Sequence, residues 1–312
     1  MPNGQWPYTG SAVLNPMPDL SELTTVVSAA VGRACRLTPL SVKCTYPVFR
    51  GETAAGERVF VKLATRSEWE RTAAVLKDVG ECRFFARLLV SEPIEFAGSV
   101  VMISEWRESR IAFPEDFDDA QVASFVSGCR EFSDCLRRVR GFTPLSESSV
   151  DPERLYDTLS RYAARHRFAA RLLKDLLSVP ESERTYAGRE LTVVHGDFHA
   201  KNLGFEGDRF SCVYDFDKLT EGLACSDMVN ALGERFSLMR LPATARRRLV
   251  AVTRSVVRAS PWPADELRIA VNVLRLTFAV RRVDKHPDSD WVAVDVWRRD
   301  RKIRALLDCL KR

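Results

Sequence analysis

The sequence predicts an α+β protein of two lobes, in which a small antiparallel sheet with one helix is followed by a larger, mainly helical lobe. Three observations lead to this expectation. The chain has 312 residues, which is enough for two compact lobes. Apolar and polar residues alternate between Leu40 and Ala64 around the turn segment GETAAGE, which is typical of paired strands. From residue 115 onward the apolar residues recur at helical spacing.

The elements of the sheet lobe follow from helix caps and chain breakers. After a loose arm of 18 residues, Asp19 with Glu22 three positions later predicts the start of a helix. The other predicted elements are a helix over Ser67–Val79 that Gly80 ends, a strand segment over Phe84–Phe96 with a break near Pro93, and a strand over Val100–Ser104. We expect this lobe to occupy residues 1–104 and a hinge to occupy residues 105–109.

The helical lobe is expected over residues 110–312 and contains one exception to its helical pattern. A stripe of apolar residues from Val122 to Val139 predicts its first long helix. The segments LTVVHGDFHAKNLGF and RFSCVYDFDKL each join a short apolar run to polar residues, so we expect two short strands that bracket a loop. Helical patterns resume near Ser226 and are interrupted at SPWP and at KHPDSD.

The composition is that of an ordinary globular protein. Hydrophobic residues make up 46% of the chain and charged residues 29%. No apolar stretch approaches the roughly 18 to 20 residues that span a bilayer, and the N-terminal segment lacks the features of a secretory signal. We therefore expect a cytoplasmic protein without a membrane span. The 8 cysteines show no CxxC pair and no metal-ligand spacing, and we expect reduced, mostly buried thiols.

The segment VVHGDFHAKNLGF concentrates polar side chains between two apolar runs. A carboxylate such as Asp197 can orient an acceptor hydroxyl and take its proton, and the oxygen of Asn202 can ligate a metal. Asp215 ends the next apolar run and can supply the principal carboxylate ligand of Mg²⁺. Magnesium favours one or two carboxylates and shares its remaining positions with phosphates and water.

These motifs resemble those of a known family. HGDFHAKN, followed by DFD thirteen residues after the asparagine, resembles the HxDxxxxN and DFG-type motifs of the eukaryotic-like kinase fold. The variant HGDxHxxN is similar to the small-molecule branch, which includes aminoglycoside phosphotransferases, choline kinases and fructosamine kinases. The segment GLACSDM, with Gly222 and Asp227, also resembles that branch. The resemblance implies a bilobal protein kinase-like fold, ATP and Mg²⁺ as cofactors, and transfer of a phosphoryl group to a small-molecule hydroxyl.

The resemblance also implies roles for the residues of the two motifs. The catalytic residues are Asp197, as base or hydroxyl-orienting group, and His195, which is expected to brace the loop rather than transfer a proton. The metal ligands are Asn202, Asp215 and Asp217. Two roles stay open. His199 either contacts the acceptor or a metal-bound water, or it packs, and Asp217 either assists the metal or binds the loop backbone.

In the sheet lobe the resemblance implies a nucleotide site. Lys62 in VFVKLA takes the position of the lysine that contacts the ATP phosphates, and Glu70 on the next helix is its expected carboxylate partner, with Glu68 as competitor. VVMISEWRE resembles the last strand and hinge. The backbone expected to contact adenine lies at Glu105, Trp106 and Arg107, although Trp106 is also suited to packing between the lobes.

One segment departs from the family pattern. The first hairpin reads KCTYPVFRG over residues 43–51 and contains no GxGxxG. A phosphate-cradling loop needs close backbone approach, which glycine permits and Tyr46-Pro47 restricts. This departure supports an alternative, a nucleotide-binding pseudokinase with a regulatory or scaffold role. Protein kinase activity is less well supported, because no APE-like segment follows DFD.

Charge in the helical lobe bears on the acceptor. Residues 225–312 contain 19 Lys and Arg against 10 Asp and Glu. Because aminoglycosides are polycations, this balance favours a neutral or anionic hydroxyl compound, such as a sugar, a glycan intermediate or a phosphorylated metabolite, over an aminoglycoside as acceptor. The same charges are also explained as solvated helix faces. They lack the interleaved aromatic residues of a nucleic-acid platform, and Trp291 and Trp297 are suited either to an acceptor pocket or to the core.

Overall fold

The computed structural model describes residues 18–40, 47–140, 151–237, 241–285 and 290–311, with side chains except at positions 168, 217, 284–285 and 290–293. The described chain divides into two compact units. The first contains the residues up to Lys77 together with Ala86–Arg107, and the second contains Asp78–Phe85 together with the chain from Glu108 onward. The predicted lobe limits, at residues 104 and 110, stay predictions.

The secondary structure mixes short strands with longer helices. The strands are β1 (Cys35–Pro39), β2 (Val48–Thr53), β3 (Arg58–Ala64), β4 (Ile94–Phe96), β5 (Ser99–Glu105), β6 (Arg110–Ile111), β7 (Thr192–Val194), β8 (Leu203–Glu206), β9 (Arg209–Val213) and β10 (Thr220–Gly222). The helices are α1 (Leu20–Val31), α2 (Arg66–Val79), α3 (Asp119–Leu136), α4 (Pro152–Ala163), α5 (Arg167–Leu177), α6 (Ser226–Ser237), α7 (Ala243–Ala259), α8 (Ala264–Lys285), α9 (Asp290–Ile303) and α10 (Ala305–Cys309). Short 3₁₀ turns cover Pro114–Asp116, Glu181–Glu183, Ala200–Asn202 and Phe216–Lys218. In the described part of the chain, no helix combines the length and the apolar composition that crossing a membrane requires.

The first unit is a five-stranded antiparallel sheet in the order β1-β2-β3-β5-β4. One face of the sheet packs against α1, whose Leu23 and Val27 are fully buried. Asp19 caps this helix as predicted, because its Oδ1 accepts hydrogen bonds from the backbone of Ser21 and Glu22. Side chains alternate along β3, so Lys62 projects from the face opposite to the buried core residues.

One strand prediction in this part of the sequence is confirmed and another is wrong. The predicted hairpin around GETAAGE is confirmed as β2 and β3, and β1, which precedes Leu40, is an additional strand. In the predicted strand segment 84–96, only Ile94–Phe96 is a strand, together with an isolated bridge between Leu88 and Ser104. Phe84 and Phe85 are buried by aromatic packing in the second unit, and this packing explains an apolar run that sequence reasoning took for a strand.

The second unit combines helices with two small sheets, β6-β8-β9 and β10-β7. The predicted first long helix is confirmed as α3, and the predicted strands on either side of the polar loop are confirmed as β7 and β9. Beneath the loop lies an aromatic core of fully buried phenylalanines at positions 84, 125, 132, 198, 205 and 210. Gly128 lets α3 approach this core, since a Cβ there would lie 2.4 Å from Cδ1 of Phe210.

The cysteines depart from the expectation in one pair. Cys82 and Cys135 form a disulfide in this structure, between segments that are 53 residues apart in the sequence. Their proximity arises from tertiary packing and leaves no spacing signal in the sequence. The free cysteines at positions 35, 129, 212, 225 and 309 are buried as predicted, and Cys44 lies outside the described residues.

We expect Gly128→Val to lower the free energy of unfolding by roughly 1–3 kcal/mol, because the added side chain overlaps the buried ring of Phe210. The matched control is Ser127→Val, which introduces the same residue at the adjacent exposed position of α3 and should change stability by less than about 0.5 kcal/mol. Chemical denaturation of the three proteins measures the difference. Equal losses in both variants would contradict the packing argument.

Candidate active site

The catalytic loop, residues 195–202, connects β7 to β8 and lies against the segment that follows β9. The amide of Asn202 donates its Nδ2 hydrogen to the carbonyl oxygen of Asp197 at 3.0 Å, which closes the loop on itself. The backbone N–H of Tyr214 donates to the carbonyl oxygen of Asn202 at 2.9 Å. This bond joins the loop to the residue that precedes the DFD segment.

His195 connects the same two segments from below. Its ring is fully buried, Nε2 lies 2.9 Å from the carbonyl oxygen of Tyr214, and Nδ1 lies 3.3 Å from the backbone nitrogen of Asp197. Because the carbonyl can only accept and the amide can only donate, the ring is the neutral Nε2–H tautomer. Burial lowers the pKa of His195 to about 4. With both nitrogens engaged, the geometry favours the bracing role over proton transfer.

Asp227, near the start of α6, holds the beginning of the catalytic loop. Its two carboxylate oxygens accept hydrogen bonds from the backbone of His195 at 2.8 Å and of Gly196 at 3.3 Å. Burial raises the pKa of Asp227 to about 7, and the two N–H donors oppose the shift. The segment GLACSDM pointed to this residue, but its role depends on a contact across 32 residues that spacing does not reveal.

Gly196 permits an unusually close approach of two backbone segments. Its φ is +74°, and a Cβ at this position would lie 2.1 Å from the carbonyl oxygen of Lys218. Only glycine combines this left-handed conformation with the space that the neighbouring carbonyl requires. The contact brings the residue after the DFD segment, Lys218, beside Asp197.

The carboxylate of Asp197 has a cationic partner that sequence reasoning missed. Lys218 donates from Nζ to Oδ2 of Asp197 at 2.8 Å. Burial alone would raise the pKa of Asp197, but the Lys218 ammonium outweighs it, so the pKa lies below its usual range. Nε2 of His199 lies 3.9 Å from the same oxygen, which places this histidine beside the Asp197 carboxylate and not in the core.

A further missed residue, Arg281 of α8, reaches the loop from the helical part of the unit. Its Nη1 donates to the carbonyl oxygen of Gly196 at 3.3 Å. The side chain is partly buried, and burial lowers the pKa of the guanidinium while the charge of Asp197 opposes the shift. The charge count of residues 225–312 includes Arg281, but no sequence pattern marks it as a neighbour of the loop.

The predicted metal ligands supply hard oxygen donors. Asn202 is buried, and because its Nδ2 is committed to Asp197, its Oδ1 is the atom available to a ligand. Asp215 adopts a left-handed backbone with φ 65° and ψ 71°, a strained conformation that non-glycine residues show mainly at functional sites. Two such oxygen donors fit Mg²⁺, which takes few protein carboxylates. The described residues contain no cluster of three or more His, Cys, Asp and Glu side chains that would form a complete metal cage, and the side chain of Asp217 lies outside them.

In the first unit, the carboxylates proposed as partners of Lys62 have different surroundings. Glu68 is buried and closes a capping box at the start of α2, because its Oε2 accepts from the backbone of Thr65 at 2.7 Å while its own N–H donates to Thr65 Oγ1 at 3.2 Å. Glu70 is exposed, and its charged partner in the described contacts is Arg66 at 3.9 Å. The pairing of Lys62 with Glu70 stays a prediction.

The predicted adenine-contacting segment follows β5. Glu105 exchanges backbone and side-chain hydrogen bonds with Arg87, and its carboxylate also forms an ion pair with Arg107. The indole Nε1 of Trp106 is buried and has no hydrogen-bond partner among the described residues. These contacts hold the backbone of the segment in place, and its contact with adenine stays a prediction.

We expect the stability difference between wild type and His195→Gln to depend on pH. The pKa of His195 is about 4 in the folded protein and 6.5 when unperturbed, so its contribution is fully present above pH 6.5 and is lost as the pH falls towards 4. Wild type should therefore lose on the order of 3 kcal/mol relative to the variant across this window, at about 1.4 kcal/mol per pH unit. Denaturation of both proteins between pH 7.5 and pH 4 measures it, and parallel profiles would contradict the assignment.

We expect Glu68→Ala to lower the free energy of unfolding by about 1 kcal/mol, because it removes the capping box of α2. Glu70→Ala removes an exposed ion pair and should cost less than about 0.5 kcal/mol. Urea denaturation of the two variants compares these effects directly. A larger loss for Glu70→Ala would mean that Glu70, and not Glu68, is the structural carboxylate.

The comparisons with known proteins agree with the geometry. The model of the phosphotransferase enzyme family matches residues 37–267. No curated protein matches the chain. Similar solved structures include a thermostable mutant of aminoglycoside phosphotransferase APH(4)-Ia with ADP and hygromycin B, at 14% identity, coverage of 92% of this chain and 98% of that one, and a TM-score of 0.58. An aminoglycoside phosphotransferase from Alicyclobacillus acidocaldarius is 16% identical, with coverage of 91% of this chain and 95% of that one, and a TM-score of 0.60. The macrolide 2'-phosphotransferase MphH from Brachybacterium faecium is 14% identical, with 92% and 97% coverage and a TM-score of 0.59.

The family match and the structural likeness bear on different predictions. The structural likeness confirms the predicted α+β, kinase-like fold. The family match covers most of the chain. It confirms the predicted family resemblance and the predicted enzyme class, a small-molecule phosphotransferase. The family match shows that the chain belongs to the phosphotransferase enzyme family, and the geometry of the loop agrees with it.

Proposed function

We propose that the protein transfers the γ-phosphoryl group of ATP, with Mg²⁺, to a hydroxyl group of a small molecule. The observation that carries the proposal is the closed catalytic loop, in which Asn202 is bonded to the backbone of Asp197 and to the backbone of Tyr214, the residue before Asp215. Phosphoryl transfer depends mainly on positioning and charge stabilisation, and a rigid loop of this kind supplies the positioning.

Asp197 acts on the acceptor in this proposal. Its Oδ2 is hydrogen-bonded to Lys218, so Oδ1 is the atom that accepts the hydrogen bond of the incoming hydroxyl. The hydroxyl oxygen forms a bond to the γ-phosphorus while the bond to the leaving oxygen of ADP breaks, and the hydroxyl proton passes to Oδ1. Because the pKa of Asp197 is low, we assign it mainly the orientation of the hydroxyl, with proton transfer late in the reaction.

In this proposal the metal is assigned to residues of the second unit and the nucleotide to residues of the first. Asn202 and Asp215 would hold Mg²⁺, which when bound neutralises phosphate charge. Lys62 would contact the phosphates of ATP, and the backbone of Glu105–Arg107 would contact adenine. The related structures with bound ADP and with AMP-PNP support the use of ATP.

The acceptor class is less constrained than the reaction. The similar structures are named for antibiotics, and hygromycin B is bound in one of them, which supports an aminoglycoside as acceptor. The charge balance of residues 225–312 supports a sugar, a glycan intermediate or another neutral or anionic metabolite, and we propose this class. The glycine-poor hairpin supports the pseudokinase alternative, and its residues 43–46 lie outside the described part of the chain.

We expect Asp197→Asn to lower phosphoryl transfer by roughly 10²- to 10⁴-fold while nucleotide binding is retained, because the amide cannot accept the hydroxyl proton. Transfer of labelled γ-phosphate to panels of sugars, polyols and aminoglycosides measures the loss, and thermal stabilisation by MgADP measures binding. The control is Asp208→Asn, an exposed aspartate in the turn after β8. Activity of Asp197→Asn equal to that of the control would remove Asp197 from the mechanism. A wild-type protein that MgADP stabilises but that transfers no phosphate would favour the nucleotide-binding pseudokinase.

A further inference from the structure

Two cationic side chains meet the catalytic loop at its aspartate. Lys218 contacts the carboxylate of Asp197 at 2.8 Å, and Arg281 contacts the carbonyl oxygen of the preceding residue at 3.3 Å. They come from different elements, the turn after Asp215 and helix α8. The surroundings of the proposed reacting hydroxyl are therefore positively charged on two sides.

Arg281 differs from three other arginines that this unit withdraws from solvent. Arg275 is bound by Asp300 at 2.7 Å, Arg235 by Glu115 at 2.9 Å, and the adjacent Arg282 by Asp295 at 3.1 Å. In the described part of the chain, Arg281 has a backbone carbonyl and no carboxylate within ion-pair distance. The Asp197 carboxylate offsets part of the cost of burying this guanidinium from a distance, and an anionic ligand in direct contact with it would offset more.

Lys218 affects the reaction in two opposing ways. Its ammonium is bound to Oδ2 of Asp197 at 2.8 Å and so occupies one oxygen of the carboxylate that orients the hydroxyl. Its side chain is about half exposed, at 51%, and a four-carbon stem allows the ammonium to turn towards a bound molecule. If the acceptor carries an anionic group, the Lys218 ammonium can bind that group instead of Asp197. Both oxygens of Asp197 are then available to the hydroxyl.

We infer that the acceptor is an acidic hydroxyl compound, with a carboxylate or phosphate group near the phosphorylated hydroxyl, and that Lys218 and Arg281 bind this anionic group. The inference rests on the proposed function, because it assigns the substrate class of the same site. The two side chains determine specificity, since an amine-bearing acceptor would meet two like charges where an acidic one meets two opposite charges. Charge-assisted hydrogen bonds of this kind correspond to a preference of at least about tenfold in affinity.

The test compares sugars that differ in one group. Glucose is the neutral probe, glucuronate carries a carboxylate, glucose 6-phosphate carries a phosphate and glucosamine carries an amine. Binding of each is measured by calorimetry and by thermal shift to full-length protein saturated with MgADP, so that acidic probes cannot report on the nucleotide site. We expect at least one acidic sugar to bind about tenfold or more tightly than glucose, and glucosamine to bind no better than glucose.

Variants identify the side chains responsible. Lys218→Gln and Arg281→Gln should each reduce the preference for the acidic sugar over glucose by roughly tenfold, without a comparable change for glucose. Lys174→Gln is the matched control, because Lys174 is an exposed lysine of α5 outside the site and should leave the preference unchanged. Lys218 is half exposed, so its variant tests the inference even where Arg281→Gln weakens folding. The two acidic probes separate carboxylate from phosphate recognition.

The outcomes separate this inference from the proposed function. A preference for an acidic sugar that both variants lose and the control keeps supports the inference. Acidic sugars that bind no more tightly than glucose, or a preference that survives Lys218→Gln, would overturn it. Stabilisation by MgADP in the same samples reports on the proposed function, so a protein that binds MgADP without preferring acidic sugars loses only the inference.

Discussion

The candidate site depends on one interaction, the pair of hydrogen bonds that the buried carboxylate of Asp227 accepts from the backbone of His195 and Gly196. These bonds fix the backbone where β7 ends, and that backbone sets the direction of every later residue of the catalytic loop. His195 is thereby held where its Nε2 reaches Tyr214, and Gly196 is held against the carbonyl of Lys218. Without an acceptor for these two N–H groups, their burial would cost about 1–3 kcal/mol each.

The loop is supported from below by aromatic packing. The ring of Phe198, the residue after the catalytic aspartate, is fully buried beside Phe132 at a centroid distance of 5.4 Å. Phe216 of the DFD segment stacks on Phe85 at 4.7 Å. Both motifs therefore place an apolar side chain in one core and a carboxylate next to it on the surface of that core. Close aromatic packing of this kind holds in place the backbone that carries each carboxylate.

The sequence predicted the residues of the motif better than their partners. Asp197, Asn202 and Asp215 lie close together in the chain, and the loop that carries them was predictable from two short apolar runs. The contacts of Lys218 and Arg281 depend on the close approach at Gly196 and on the path of α8, across 21 and 85 residues, and no local pattern encodes these distances. The cap at Glu68 was predictable, because Thr65 and Glu68 have the spacing of a capping box. The strand prediction at Phe84 and Phe85 was wrong because a short apolar run is equally consistent with a strand and with a loop whose side chains are buried.

The pair of buried groups at the start of the loop has a consequence for the proton balance of folding. In the unfolded chain at a pH between about 4 and 6.5, His195 carries a proton and Asp227 does not. In the folded protein the pKa values, about 4 and about 7, reverse this occupancy. Folding therefore moves one proton from the imidazole to the neighbouring carboxyl and exchanges none with the solvent at these two sites. The two linkage slopes oppose each other, so this pair leaves the stability of the site nearly independent of mild acidification.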